Sequence, residues 1–142
     1  MVIGGVQVCP GHPCPHSTGQ GCDDYKNRPK DPCDNFNCGW IIDGSPLPDW
    51  MKPSNSKVIV IFDKLRWNGL PVDLAVPVGR RIPPRALNWL KQFCEKHQRP
   101  LVYTEQIVEN GQFQTQQQVL GFGPPAFQEE LLQWQREGKR LW

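Results

Sequence analysis

The sequence predicts an α+β protein in which a Cys/His-rich, metal-stapled N-terminal lobe precedes a ββαββα body. Seven of the nine cysteine and histidine residues lie within the first 38 of 142 positions. Beyond residue 56, two Asn-Gly dipeptides each separate two strand-like segments, and each pair of segments leads through a Pro-Pro dipeptide into a helical pattern. The simplest packing has two layers, an antiparallel sheet with two helices on one face.

The pattern of apolar residues along the chain changes near residue 56. Residues 1–56 form the predicted zinc-binding lobe and linker, and they show no convincing hydrophobic periodicity. Residues 57–142 form the predicted ββαββα body. Because the first segment has too few large apolar residues for a core of its own, we expect one compact unit.

Residues 57–67 and 70–78 form the first predicted hairpin. Asn68-Gly69 supplies the two residues with positive φ that a type I′ turn requires. Since residues 58–62 are apolar at every position, we expect this strand to be central and covered on both faces. Counting back from the turn gives the expected pairs Trp67 with Leu70, Leu65 with Val72, and Ile61 with Val76.

Each hairpin leads into a helix whose first turn is set by prolines. Pro83-Pro84 opens the first helix, and its apolar stripe recurs at three- and four-residue spacing. The stripe consists of Ala86, Leu87, Leu90, Phe93, Cys94 and His97. The second hairpin comprises residues 101–108 and 112–122, and the last helix carries a stripe of Phe127, Leu131 and Trp134.

The cysteine spacing predicts a structural zinc site. The pairs Cys9-x4-Cys14 and Cys33-x4-Cys38 can each present two thiolates, so one Zn²⁺ held by these four is the first hypothesis. His12, His16 and Cys22 are further candidate ligands, and a second site completed by Asp23 or Asp24 is an alternative. Disulfides are the other alternative, although the N-terminus does not resemble a signal peptide and we expect the reducing cytoplasm.

Catalytic motifs are weakly represented, and we expect a non-enzymatic protein. Pro32-Cys33-x4-Cys38 resembles half of the zinc deaminase signature, but the first glutamate in the chain is Glu95, too late to supply the general acid/base. The segment Asn37-Cys38-Gly39-Trp40 resembles the nucleophile segment of viral papain-like proteases. That resemblance implies the alternative function, a thiol hydrolase with Cys38 as nucleophile and His97 as base.

Paired acids in a sheet are a third catalytic pattern. Asp63 and Asp73 face each other in the first hairpin, as magnesium ligands do in nucleases, but the usual Glu-x-Lys partner is missing. We therefore expect these two aspartates to be solvent-facing residues or loop anchors.

Basic residues cluster around the first helix and predict a nucleic-acid surface. The candidates are Arg80, Arg81, Arg85, Lys91, Lys96 and Arg99, with Trp67 and Trp89 nearby to stack on bases. A solvated helix face is the alternative, because the formal net charge is only +2.

Glutamines along the last strand predict a protein-binding edge. Gln114, Gln116 and Gln118 offer amide donors and acceptors, and Trp142 adds an aromatic contact residue. Neither face of this strand is clearly apolar, so burial specifies its pairing register only weakly.

The sequence therefore predicts a zinc-binding accessory or assembly protein that binds nucleic acid or a protein partner and no membrane. Its small size suits a phage or viral protein, located in the host cytoplasm or virion.

Overall fold

The computed structural model describes residues 2–8, 13–18 and 22–139. The N-terminal segment contains a short hairpin of β1 (Val2–Ile3) and β2 (Val6–Gln7), several turns, and the one-turn helix α1 (Pro53–Ser56). The remaining elements are β3 (Val58–Trp67), β4 (Leu70–Pro77), α2 (Pro84–Lys96), β5 (Leu101–Glu109), β6 (Gln112–Phe122) and α3 (Pro125–Arg136). Both mixed α+β character and the ββαββα order are confirmed.

Both predicted hairpins form around their Asn-Gly turns. Asn68 and Gly69 have φ angles of 49° and 79°, and Asn110 and Gly111 have φ angles of 50° and 76°. Two successive positive φ values define a type I′ turn, whose twist matches that of the flanking strands. The two Asn-Gly dipeptides therefore fix where each strand pair reverses.

The sheet is mixed, and the prediction of an antiparallel sheet is wrong. Its strand order is β3-β4-β5-β6, and β4 pairs with β5 in parallel through Asp73–Leu101, Leu74–Val102 and Ala75–Tyr103. The reason is the connection through α2, which returns the chain to the end of the sheet where β4 began. β3 is thus an edge strand and not the expected central one.

The two helices pack on opposite faces of the sheet, which corrects the predicted two-layer arrangement. Ala86, Leu90 and Cys94 of α2 cluster with Val60 and Leu101. Phe127 and Leu131 of α3 cluster with Leu74 and Val102. Neighbouring residues of a strand point to opposite faces of the sheet. Because α2 packs on Leu101 and α3 packs on Val102, the two helices lie on opposite faces. The consecutive buried residues 72–75 of β4 require this double cover.

A bulge in β3 shifts the first hairpin by two residues. Trp67 pairs with Leu70 and Leu65 with Val72, as expected. Beyond the bulge, Ile61 pairs with Leu74, so the predicted pair Ile61–Val76 is wrong. Asp63 lies in the irregular stretch with a φ of 52°, which a simple count back from the turn cannot anticipate.

The N-terminal segment packs against β3 and α2 through a small number of contacts. The Gly39 N–H donates to the Val60 carbonyl at 2.6 Å, and a Cβ on Gly39 would lie 2.7 Å from the Phe62 ring. Leu47 and Met51 are buried in the same cluster as α2. These contacts bring Trp40 and Trp50 beside the helix, where the candidate site lies.

Candidate nucleic-acid interface on helix α2

One side of α2 carries a row of partly exposed aromatic rings. Trp89, Phe93 and His97 follow one another at four-residue spacing, which places them on one side of the helix. Trp50 extends the row from the N-terminal segment. We call these four residues the ring row. The buried side of α2, with Ala86, Leu90 and Cys94, faces the sheet and holds the row at the surface.

The rings of the row touch in sequence. The Trp50 and Trp89 centroids are 6.5 Å apart in an edge-to-face arrangement, and Trp89 stacks on Phe93 at 5.3 Å. The Phe93 and His97 centroids are 4.4 Å apart. His97 is exposed, although the helical pattern places it on the apolar stripe. These contacts form a continuous aromatic surface more than two helical turns long.

Cationic side chains lie over rings in and beside the row. The Arg85 guanidinium is 4.3 Å from the Trp50 centroid. Lys52 Nζ is 5.1 Å from the Trp40 centroid, and the Arg99 guanidinium is 5.6 Å from the Phe62 centroid. The site therefore combines flat apolar faces with positive charge, the two features that single-stranded nucleic acids require.

The six predicted basic residues separate into different environments. Arg80, Arg81 and Arg85 are exposed around the start of α2, and Lys96 is exposed at its end. Half-buried Lys91 lies 5.5 Å from the Tyr103 centroid and 5.4 Å from the Phe122 centroid. Arg99 forms an ion pair with the buried Asp73. The accessible charge among these six is therefore carried by the three arginines near the helix start and by Lys96 at the helix end.

The two predicted stacking tryptophans have different positions. Trp89 is half-buried within the row. Trp67 lies in the α3 cluster on the other face, where its Nε1–H donates to Glu130 Oε2 at 2.7 Å. Sequence reasoning missed Trp50 as a member of the row, because only the packing of the N-terminal segment brings it to α2. The other three members of the row could have been recognised from the sequence by the four-residue spacing of Trp89, Phe93 and His97.

Beneath the row, Asp73 joins three parts of the fold. Its carboxylate accepts hydrogen bonds from the Arg99 guanidinium, from the Asp63 backbone N–H at 3.2 Å and from the Cys94 thiol at 3.9 Å. Burial raises the pKa of the Asp73 carboxyl above its ordinary value, and Arg99 opposes that shift. Burial likewise raises the pKa of the Cys94 thiol to about 12. The arrangement braces the β3 bulge against α2 and the start of β5.

Of the five predicted metal ligands that the structure describes, four line one open pocket of about 300 Å³ in the N-terminal segment: Cys14, His16, Cys22 and Cys33. His16 Nδ1 is also 2.8 Å from Asp23 Oδ1. Cys38 lies apart from the pocket lining, buried next to the Gly39–Val60 contact. Within the described ranges, no group of three or more His, Cys, Asp or Glu side chains is arranged to hold a metal ion. Cys9 and His12 lie outside the described residues.

The alternative catalytic pair is not joined by a hydrogen bond. Cys38 is a free, buried thiol, and His97 contacts Phe93 through its ring. Of the predicted partner-binding residues, Gln114 is half-buried, Gln116 and Gln118 are exposed on β6, and Trp142 lies outside the described residues. The aromatic and basic surface of α2 is consequently the better-formed site.

No protein-family model, curated protein or solved structure matches the chain. Across the part of the chain that the structure describes, no helix is both long and apolar enough to span a bilayer. The contacts of the α2 side chains are therefore the observations that bear most directly on function.

Proposed function

We propose that this protein is a non-enzymatic, zinc-binding accessory protein that binds single-stranded nucleic acid along the ring row of α2. The supporting observation is the contact of Arg85 with Trp50 at the start of a continuous, partly exposed series of rings. A base that displaces the guanidinium from Trp50 gains a stacking surface, and the released guanidinium becomes available to a phosphate. Stacking of this kind contributes about 1–3 kcal/mol per base.

Charge at the start of α2 supports the same orientation. Arg80 and Arg81 precede the helix and Arg85 lies in its first turn, which contains no acidic residue. The helix dipole adds partial positive charge at this end. Phosphates are therefore expected beside Arg80 and Arg81, with bases extending along the row towards His97. The small net charge of +2 implies modest affinity that depends on this local cluster.

Fluorescence anisotropy with a labelled mixed-sequence DNA oligonucleotide, measured across a salt series, tests the phosphate contacts. Each phosphate contact on a single strand contributes about 0.7 to the slope of log K against log salt. This slope is negative, so the double variant Arg80→Ala/Arg81→Ala should make it shallower by about 1.4 if each arginine contacts one phosphate. Lys64→Ala/Arg136→Ala removes two exposed cations elsewhere and should leave the slope unchanged. Absence of binding at low salt would overturn the proposal.

A second comparison isolates stacking. Trp50→Leu should weaken binding about 5- to 150-fold, the equivalent of 1–3 kcal/mol, without altering the salt slope. Trp134→Leu is the matched control, because half-buried Trp134 on α3 also lies under a cation, with Lys139 Nζ 4.1 Å from its centroid. Circular dichroism checks that both variants fold. Equal losses of affinity in the two variants would contradict binding at the ring row.

The zinc component rests on the shared pocket. Cys14, Cys22 and Cys33 line it as free thiols together with His16, and soft thiolate and imidazole groups favour Zn²⁺. The pocket favours these residues as ligands over Cys38. Metal analysis of purified protein and a free-thiol count before and after chelation test this. We expect one or two zinc ions and thiols that become reactive on chelation; metal-free protein that does not take up added zinc would refute it.

A further inference from the structure

His16 and Asp23 are joined twice, through their side chains and through their backbones. His16 Nδ1 lies 2.8 Å from Asp23 Oδ1, and the Asp23 N–H donates to the His16 carbonyl at 3.0 Å. Beside this pair, Ser17 and Cys22 form an isolated antiparallel β-bridge. The two short segments are therefore held side by side, and the backbone as well as the carboxylate fixes the position of Asp23 relative to the imidazole.

The two residues differ in their relation to the pocket of the N-terminal segment. His16 lines the pocket together with Cys14, Cys22 and Cys33, whereas Asp23 does not belong to the lining. Both side chains of the pair are exposed, by 52% for His16 and 58% for Asp23. Because an exposed ion pair contributes little to folding stability, the contact matters more for the orientation of the ring than for the stability of the fold.

The hydrogen bond to Asp23 determines which ring nitrogen of His16 can bind a metal. A neutral imidazole has one N–H and one nitrogen with a free lone pair, and a carboxylate only accepts hydrogen bonds. Donation from Nδ1 to Asp23 therefore leaves the lone pair on Nε2. Histidine ligands of metals usually donate their other N–H to a carboxylate, carbonyl or water, which fixes the ring and makes the ligating nitrogen more basic.

We propose, on the basis of the zinc site proposed above, that His16 binds zinc through Nε2 and that Asp23 is a positioning residue that acts on the metal only through the His16 ring. Asp23 then lies outside the ligand set. Within the described ranges no three candidate ligands are already arranged to hold a metal ion, so binding has to gather the thiols around the ring. A ring whose tautomer and orientation are set in advance lowers the cost of that step.

NMR of protein loaded with ¹¹³Cd²⁺, a magnetically active substitute for zinc, identifies the ligating nitrogen. Nε2 is bonded to both ring carbons that carry hydrogen, whereas Nδ1 is bonded to only one of them. Ligation through Nε2 should therefore couple the cadmium nucleus to both ring protons of His16. Coupling to a single ring proton, or to neither, would overturn the proposal and leave the zinc site standing. Protein that takes up neither zinc nor cadmium would refute both.

Competition with a chelator of known zinc affinity tests the positioning role. Asp23→Ala should weaken zinc binding about 10- to 100-fold, the usual effect of losing such a partner. Asp23→Asn should recover part of that loss, because its amide oxygen can still accept from Nδ1. Asp43→Ala removes another exposed aspartate of the N-terminal segment and should leave the affinity unchanged. Equal affinities of Asp23→Ala and Asp43→Ala for zinc would contradict the proposal.

A double variant separates positioning from direct ligation and from a purely structural role. If Asp23 acts through the ring, Asp23→Ala should have no further effect on zinc affinity in the His16→Ala background. Urea denaturation of the metal-free protein should differ little between wild type and Asp23→Ala. Either a comparable loss of zinc affinity in both backgrounds or a marked loss of stability in the metal-free protein would rule out the positioning role.

Discussion

The Cys94 thiol gives a quantitative prediction for the dependence of stability on pH. Cys94 is 1% exposed, and its burial raises the pKa from 9.0 to about 12. Between those values the folded protein retains a proton that the unfolded chain releases. Stability from this group is therefore fully present below about pH 9 and is lost as pH rises towards 12. Three pKa units correspond to about 4 kcal/mol.

The isosteric variant Cys94→Ser isolates this contribution. A serine side chain is close to cysteine in size and does not titrate in this range. Between about pH 8 and about pH 10.5, the wild-type protein should lose about 2 kcal/mol more of its unfolding free energy than the variant. Other titrating groups are common to both proteins and cancel in the difference.

Urea denaturation in reducing buffer, followed by circular dichroism at a series of pH values, measures this difference. Ser54→Ala is the control, because it replaces an exposed side chain that does not titrate. Parallel stability curves for wild-type and Cys94→Ser protein would refute the reasoning, since they would mean that the thiol titrates normally in the folded state.

Three further predictions concern packing on the two faces of the sheet, and each is measured by urea denaturation. Arg99→Met should destabilise the fold by about 3–5 kcal/mol, because it leaves the Asp73 carboxylate buried without its cation; Arg99→Met/Asp73→Asn should recover part of that loss. Gly121→Ala should lower the free energy of unfolding by about 1–3 kcal/mol, since the added Cβ would lie 2.6 Å from Leu131 Cδ2. Gly111→Val should also destabilise the fold, but only because Gly111 has a positive φ. Trp67→Phe should cost about 1–3 kcal/mol through loss of the Glu130 hydrogen bond, and an unchanged midpoint would contradict that assignment.

Much of the fold follows from local sequence signals. The Asn-Gly dipeptides determine both hairpin turns, because few residues tolerate two successive positive φ values. Prolines before each helix and the spacing of apolar residues determine where α2 and α3 begin and which sides they bury. The four-residue spacing of Trp89, Phe93 and His97 is sufficient by itself to place three members of the ring row on one side of the helix.

Only the tertiary structure decided how these elements combine. The local pattern does not specify whether a strand after a helix enters the sheet parallel or antiparallel, so the β4–β5 pairing depended on the path through α2. The position of Trp50 beside Trp89, and the separation of Cys38 from the pocket that Cys14 and Cys33 share, depend on contacts between residues distant in sequence. The sequence by itself determined turns, helices and candidate ligands, because those follow from short-range geometry. Which side chains meet was decided by packing on two faces of one sheet.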